Sequence, residues 1–455
     1  MSMQPSPEAS GSYGRSIRPL ALVLILSVVL RVGVAFYLGD QVPPPVNAPD
    51  ETSYSYLAER VATGYGYSFD RPWYPLGKPA GYPTAHWSFL YTAFLAGIYA
   101  VVGVHPLVGR LAGAVLGGAL CPWMVYRLAR RVFPGCPRTW ILAATSGAIY
   151  AYFVIYAAML MTETFFIIAT LFVLEQALAL AERPNAKRAI ALGLGLGVAT
   201  LLRQSILPWV VVLFGWLLWR GVREGRARSV IPPLAISGAI LVGMILPFTL
   251  RNYWVYQDFL LLNSNAGYAM YSAQHPIHGT SFQEYTAAPV PSSLLAQDLS
   301  EPELDRELLR LGIQQIVADP WRYVLLSLSR IRAYFVFWPT RESSLLYNAG
   351  RLVSFTLFLP FMLIGLWLGL RRAGPLRTRA DWARFSTTPV AMVLLFASSY
   401  SLMHILTWAM TRYRLPVDAV MLVFAALAVD EQVLPRVQAW RRMLTGGAAK
   451  LGQGD

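Results

Sequence analysis

Two adjacent carboxylates, Asp50 and Glu51, stand in Asn47-Ala48-Pro49-Asp50-Glu51-Thr52-Ser53-Tyr54, just beyond a long apolar run. Acidic residues are scarce in this chain, and a carboxylate held at a bilayer surface can take a proton from a substrate hydroxyl. Asp50 shares helical spacing with Tyr54, Leu57, Ala58 and Val61. A plainer reading makes Asp50 an N-cap and Glu51 a first-turn acid on the helix dipole. Both readings can hold together, because a helix N-terminus is a rigid mount for a base. Glu163, in Met159-Leu160-Met161-Thr162-Glu163-Thr164-Phe165-Phe166, interrupts apolar sequence running from Ala157 to Leu174. An unpaired carboxylate there costs on the order of 3 kcal/mol; the alternative is an interfacial residue solvated by headgroup water.

Cations accompany these acids. Arg31 lies inside the first apolar run, where its plain reading is snorkelling to the surface. Lys78 sits in Tyr74-Pro75-Leu76-Gly77-Lys78-Pro79 and precedes His86; Arg203 closes an apolar stretch; Arg251 and Asn252 follow another; Arg412 and Arg414 flank Tyr413. Singly, each arginine reads as a headgroup contact. As a set on one face they suggest a site for an anionic group such as a phosphate. His275 and His278, three apart across a proline, are a weak metal pattern, so a divalent ion on Asp50, Glu163 and His275 is an open alternative. No Walker loop, G-x-G-x-x-G or zinc-type Cys/His spacing occurs.

The elements that must position these groups are membrane helices. Of 455 residues, 56% are hydrophobic and only 14% charged, and mean hydropathy is +0.46. That excludes an ordinary soluble domain and points to an all-α polytopic membrane protein. The net charge of +14 resides largely in short loops, which reads as an orientation signal rather than nucleic-acid binding. Cys121 and Cys136 give no disulfide framework. Apolar stretches fall at 18–38, 86–104, 106–131, 139–158, 163–181, 188–202, 205–220, 229–248, 320–338, 350–371, 386–408 and 415–433. If all twelve crossed, the basic loops could not share one side. Laying 86–104 and 320–338 along the interface leaves ten spans with both termini cytoplasmic. The basic loops 127–138, 182–188, 220–228, 371–384 and 434–442 are then all inside. One membrane domain, 18–434, follows, with large external segments 39–106 and 249–350. Residues 1–17, rich in Ser, Gly and Pro, are expected to be disordered, and 435–455 to form a cytoplasmic tail.

Four ordered blocks resemble the polytopic glycosyltransferases of family 39, the group including protein O-mannosyltransferases and the lipid A aminoarabinose transferase. They are Asp50-Glu51-x-x-Tyr54-x-x-Leu57-Ala58 with Gly64-Tyr65-Gly66-Tyr67, and Pro83-Thr84-Ala85 leading into 86–104. Further on come Pro247-Phe248-Thr249-Leu250-Arg251-Asn252-Tyr253 with Asn265-Ala266-Gly267-Tyr268, and Arg412-Tyr413-Arg414-Leu415-Pro416. The resemblance implies that Asp50 is the catalytic base, with Glu51 beside it and Glu163 a second acid at the same site. It also implies that outer-face cations hold the phosphate of a polyprenyl-phosphate sugar, with Tyr54, His86, Asn252 and Tyr268 among the substrate contacts. Lys78-Pro79 resembles a phosphate-contacting pair in the aminoarabinose transferases. There a glutamate precedes the lysine and can join a metal site, whereas this chain has Gly77. The expected activity is inverting sugar transfer at the extracytoplasmic face of a cell membrane, to a glycan, lipid or protein acceptor. A transporter or flippase of a lipid-linked saccharide is the alternative. It too would need in-membrane charges, but not acids and cations meeting at one face.

Overall fold

The computed structural model of the protein describes residues 8–43, 50–284, 286–341, 345–440 and 442. Asn47–Pro49, residues 1–7 and most of the carboxyl-terminal tail therefore lie outside the described residues. The described chain is helical, with a lone antiparallel bridge between Ser68 and Pro83. In chain order the helices are α1 Glu8–Leu38, α2 Asp50–Ala62, α3 Phe89–Val102, α4 Pro106–Val132, α5 Pro137–Ile149, α6 Ala151–Ala158, α7 Glu163–Glu182, α8 Ala186–Leu202, α9 Leu207–Arg223 and α10 Ala227–Tyr256. There follow α11 Ala266–Gln274, α12 Ser292–Leu295, α13 Glu301–Ala318, α14 Pro320–Tyr334, α15 Leu345–Arg351, α16 Leu357–Arg372, α17 Arg379–Phe385, α18 Pro389–Leu406 and α19 Leu415–Ala428. Residues 8–17, expected to be disordered, extend α1 toward its amino end instead.

Seven helices are long and apolar enough to cross a bilayer, and an eighth forms if α5 and α6, bent by 52° at Tyr150, count as one span. The other two expected spans are helical but shorter, at α8 and at α19. Segment 86–104 contracts to α3, a 14-residue apolar helix, and 320–338 contains α14; neither is among the long apolar helices. The basic loops meet at one end of the bundle. Arg131 pairs with Glu182 at 2.6 Å, Arg226 donates to the Ala181 carbonyl, the Trp219 indole donates to Ser386, and Arg372 pairs with Glu431. The described parts of the 39–106 and 249–350 segments lie against one another, with His86 facing the Ser264 carbonyl and Arg251 donating to that of Thr84.

Close helix packing follows from small residues. A Cβ on Gly113 would lie 2.7 Å from the Ala157 carbonyl oxygen, and one on Gly118 2.7 Å from the Val28 Cα. Both glycines let α4 approach α6 and α1 to backbone distance, the contact mode that lipid solvent favours. Arg31 does not snorkel. It is fully buried, and its guanidinium donates to Gly147 and Ala148 carbonyls at 3.0 and 2.9 Å, two of the acceptors released where α5 ends at the bend.

Candidate active site

Asp50 is the first residue of α2 and its carboxylate leaves the helix toward the chain's far end. It pairs with Arg412, which the short turn Thr411–Arg414 holds between α18 and α19. The same guanidinium lies 3.8 Å from Glu163, the first residue of α7. Glu163 also receives Arg203, from the carboxyl end of α8, and Arg203 donates to the Thr162 hydroxyl at 2.9 Å. Two carboxylates and two guanidiniums thus form one continuous cluster. Glu163 is only 2% exposed, whereas Asp50 is 30% exposed and faces the open side. The Tyr413 ring lies between the two cations, 5.2 Å from Arg203 and 5.4 Å from Arg412, and stacks on His404. Glu163 Oε2 and Arg412 Nε are buried without hydrogen bonds in the protein, leaving the cluster short of partners.

The other acid of the opening pair turns inward. Glu51 accepts from Arg110 and from the Leu160 backbone N–H at 3.1 Å. Tyr54 is buried edge-on against Trp87 and Tyr91, so it packs α2 onto the segment leading to α3. His86 faces the Ser264 carbonyl through Nδ1 at 3.1 Å. Burial pushes its imidazole down to about 4, so the neutral ring donates from Nδ1 and keeps Nε2 as an acceptor.

The remaining expected ligands are placed elsewhere. Arg414 points away from Arg412 into the bundle, pairing with Asp418 at 2.9 Å and donating to the Tyr334 carbonyl at 2.6 Å. Arg251 donates to the Thr84 carbonyl, and Asn252 closes the turn after α10 by donating to the Leu260 and Leu262 carbonyls. Both stitch external segments together rather than reach the acid cluster. Lys78 donates to the Leu299 carbonyl and lies over the Tyr82 ring, in a small pocket with Trp73, Tyr74, His86, Trp87 and Glu301. Tyr268 bonds the Tyr74 hydroxyl at 2.9 Å. Burial raises Tyr74 above its ordinary value, the bond to Tyr268 opposing the rise and the charge of Asp50 adding to it. The pocket adjoins α2, since Trp87, which lines it, packs on Tyr54 one turn from Asp50.

Several groups were not singled out from sequence. Arg110 carries the signal that exposed Glu163, a charge inside an apolar span. Glu284 accepts from the Thr411 N–H at 2.8 Å and so anchors the turn presenting Arg412. Glu301, one residue past Ser300 at the start of α13, accepts from the Ala85 N–H at 2.7 Å and from Ser264 and Thr84. Burial pushes its carboxyl up to about 7. Nothing in an amphipathic helical pattern distinguishes that glutamate from its solvated neighbours.

A resident metal would need ligands from Asp50, Glu163 and His275. His275 Nδ1 accepts from the Ile277 N–H, and no three His, Cys, Asp or Glu side chains converge among the described residues. Asp50 and Glu163 share Arg412 while His275 does not join them, so the three expected ligands do not stand as one set, and no step below runs through a metal.

Residues 86–249 match the family model described as dolichyl-phosphate-mannose-protein mannosyltransferase. That segment contains Glu163 and Arg203 but stops short of Asp50 and Arg412. No curated protein matches the chain. Among solved structures, the archaeal oligosaccharyltransferase AglB from Archaeoglobus fulgidus, in complex with an inhibitory peptide and a dolichol-phosphate, superposes with a TM-score of 0.57 at 15% identity, over 95% of this chain and 52% of that one. ArnT from Cupriavidus metallidurans, bound to undecaprenyl phosphate, superposes with a TM-score of 0.52 at 16% identity, over 97% of this chain and 64% of that one. The chain thus spans about half the length of the first and under two thirds of the second. It has the fold of these polytopic membrane glycosyltransferases.

Proposed function

We propose that this protein transfers a sugar from a polyprenyl-phosphate donor to an acceptor hydroxyl at the extracytoplasmic face of a cell membrane. The observation that carries the reading is the meeting of Asp50 and Glu163, far apart in sequence, on Arg412 with Arg203 alongside. Asp50, the more exposed acid, takes the proton of the acceptor hydroxyl as that oxygen attacks the anomeric carbon from the face opposite the phosphate, inverting it. The bond to the phosphate oxygen breaks in an oxocarbenium-like transition state, as in glycoside hydrolysis. Arg203 and Arg412 stabilise the charge that develops on the departing lipid phosphate, and this replaces a general acid. Glu163 keeps both guanidiniums in place. Dolichol-phosphate and undecaprenyl phosphate in the two superposed structures support a prenyl-phosphate donor.

Purified protein incubated with labelled polyprenyl-phosphate sugar and an acceptor extract is expected to release free polyprenyl phosphate. Asp50→Asn is expected to lower that release by at least about 1,000-fold, the scale of a lost proton acceptor, with the protein still monodisperse in detergent. Wild-type turnover in the variant would remove Asp50 from the role. Movement of intact donor across vesicles without bond cleavage would favour the transporter instead.

A further inference from the structure

The two neighbouring acids at the start of α2 have opposite surroundings, and the difference assigns them different work. Asp50 reaches the open cluster, while Glu51 is 5% exposed and sealed under the helix. Its Oε1 accepts from Arg110 and from the Leu160 N–H. Arg110, itself 2% exposed, also donates to Gly39 at 3.1 Å, Gln41 at 2.7 Å and Ala158 at 3.2 Å, all backbone carbonyls. One buried ion pair therefore ties together the exit of α1, the start of α2, the start of α4 and the α6–α7 connection.

That connection matters because Leu160 stands three residues before Glu163, and Glu51 stands one before or after nothing else but Asp50 and Thr52. Of the two acids that meet on Arg412, Asp50 thus adjoins Glu51 in the chain, and Glu163 stands three residues beyond the Leu160 N–H that Glu51 holds. We propose that Glu51 and Arg110 are positioning residues that fix the Asp50 carboxylate relative to Glu163, and that Glu51 takes no part in proton transfer. Charge-assisted hydrogen bonds in a dry setting suit this work, being directional and strong. Arg110 offers both ends of its fork to different acceptors, which a lysine cannot reproduce. The inference rests on the sugar-transfer reading only for what the positioned acids do.

Glu51→Gln keeps the acceptor for Leu160 but removes the charge facing Arg110. In the transfer assay it is expected to lower kcat by about 10- to 100-fold, the loss that a small misplacement of a reacting group produces, with KM for the donor lipid within about threefold. Arg110→Lys is expected to fall between wild type and Glu51→Gln. Hydrogen–deuterium exchange supplies a readout independent of activity. Glu51→Gln should speed exchange in 50–54 and in 158–163 and leave α13 and α18 unchanged. Unchanged exchange in both segments, or a uniform rise across the protein, overturns the positioning role whether or not sugar is transferred. An equal fall in kcat for Glu51→Gln and Asp50→Asn overturns the exclusion of Glu51 from proton transfer. Absence of transfer by wild type would sink the proposed activity, while the exchange result would still decide the positioning claim.

Discussion

Glu301 shows how far a single buried carboxyl can be carried from its ordinary chemistry. Its Oε1 accepts three hydrogen bonds, yet burial outweighs them and holds the group up to about 7. The folded protein therefore binds a proton that the unfolded chain releases nearer its ordinary value of 4.5. Stability from this group is fully present at low pH, declines as pH rises past 4.5, and is gone above about 7. The span corresponds to ~3 kcal/mol at 1.36 kcal/mol per unit. Thermal melts of wild type are expected to fall across that window, and Glu301→Gln, which keeps the accepting oxygen, to flatten the fall. The same scale explains what was legible. Glu163 stood out because a charge inside an apolar run needs a partner, and Asp50, Arg203 and Arg412 because they stand at the ends of apolar stretches. Arg110 carried an identical signal inside α4 and was passed over as part of a span. Arg412 and Arg414 were inseparable in sequence, since two residues apart on a tight turn point in opposite directions only once the turn exists.

Among elements, the most telling joint is that between α11 and α13. Asp305 accepts from the Gly267 and Tyr268 N–H groups at 2.9 and 3.3 Å, satisfying donors at the start of α11. A Cβ on Gly267 would stand 1.8 Å from the Asp305 carbonyl oxygen. The Asn265-Ala266-Gly267-Tyr268 block is thus first a docking device between two external helices. Gly267→Ala is expected to destabilise the protein by about 1–3 kcal/mol, the usual cost of overpacking, read as a lower melting temperature. It should also loosen Tyr268 from Tyr74 beside the acid cluster. Helix spans were largely readable because apolar length is a coarse signal. The break at Tyr150 was not, since no proline or glycine marks the residue itself and the bend depends on Arg31 arriving from α1 to take the freed carbonyls.

For the whole molecule, the proposed topology, read from the parity of spans and the distribution of arginines, places the acid cluster outside and the basic loops inside. In a background with Cys121 and Cys136 replaced by serine, Gln297→Cys is expected to react with an impermeant maleimide added to intact cells. Arg377→Cys is expected to react only after permeabilisation. Both positions are exposed, so failure of either pattern would invert or break the topology. The segments 39–106 and 249–350 touch one another, Arg251 donating to the Thr84 carbonyl, and the labelling tests which side of the membrane they occupy. Their mutual stitching through Arg251, Asn252 and Glu301 was not readable, because it depends on backbone carbonyls that no side-chain pattern reveals.

The turn that presents Arg412 lies between α18 and α19, far along the chain from both acids, and this has a consequence in time. Synthesis runs from the amino end, so Glu163 can meet Arg203 as soon as the following helix is threaded. Asp50 has no such early partner. Its counter-charge, Arg412, reaches the membrane only when the helix pair α18–α19 is inserted, so the cluster closes long after its two acids have been threaded, and a chain halted before that pair carries its acids without the group that joins them.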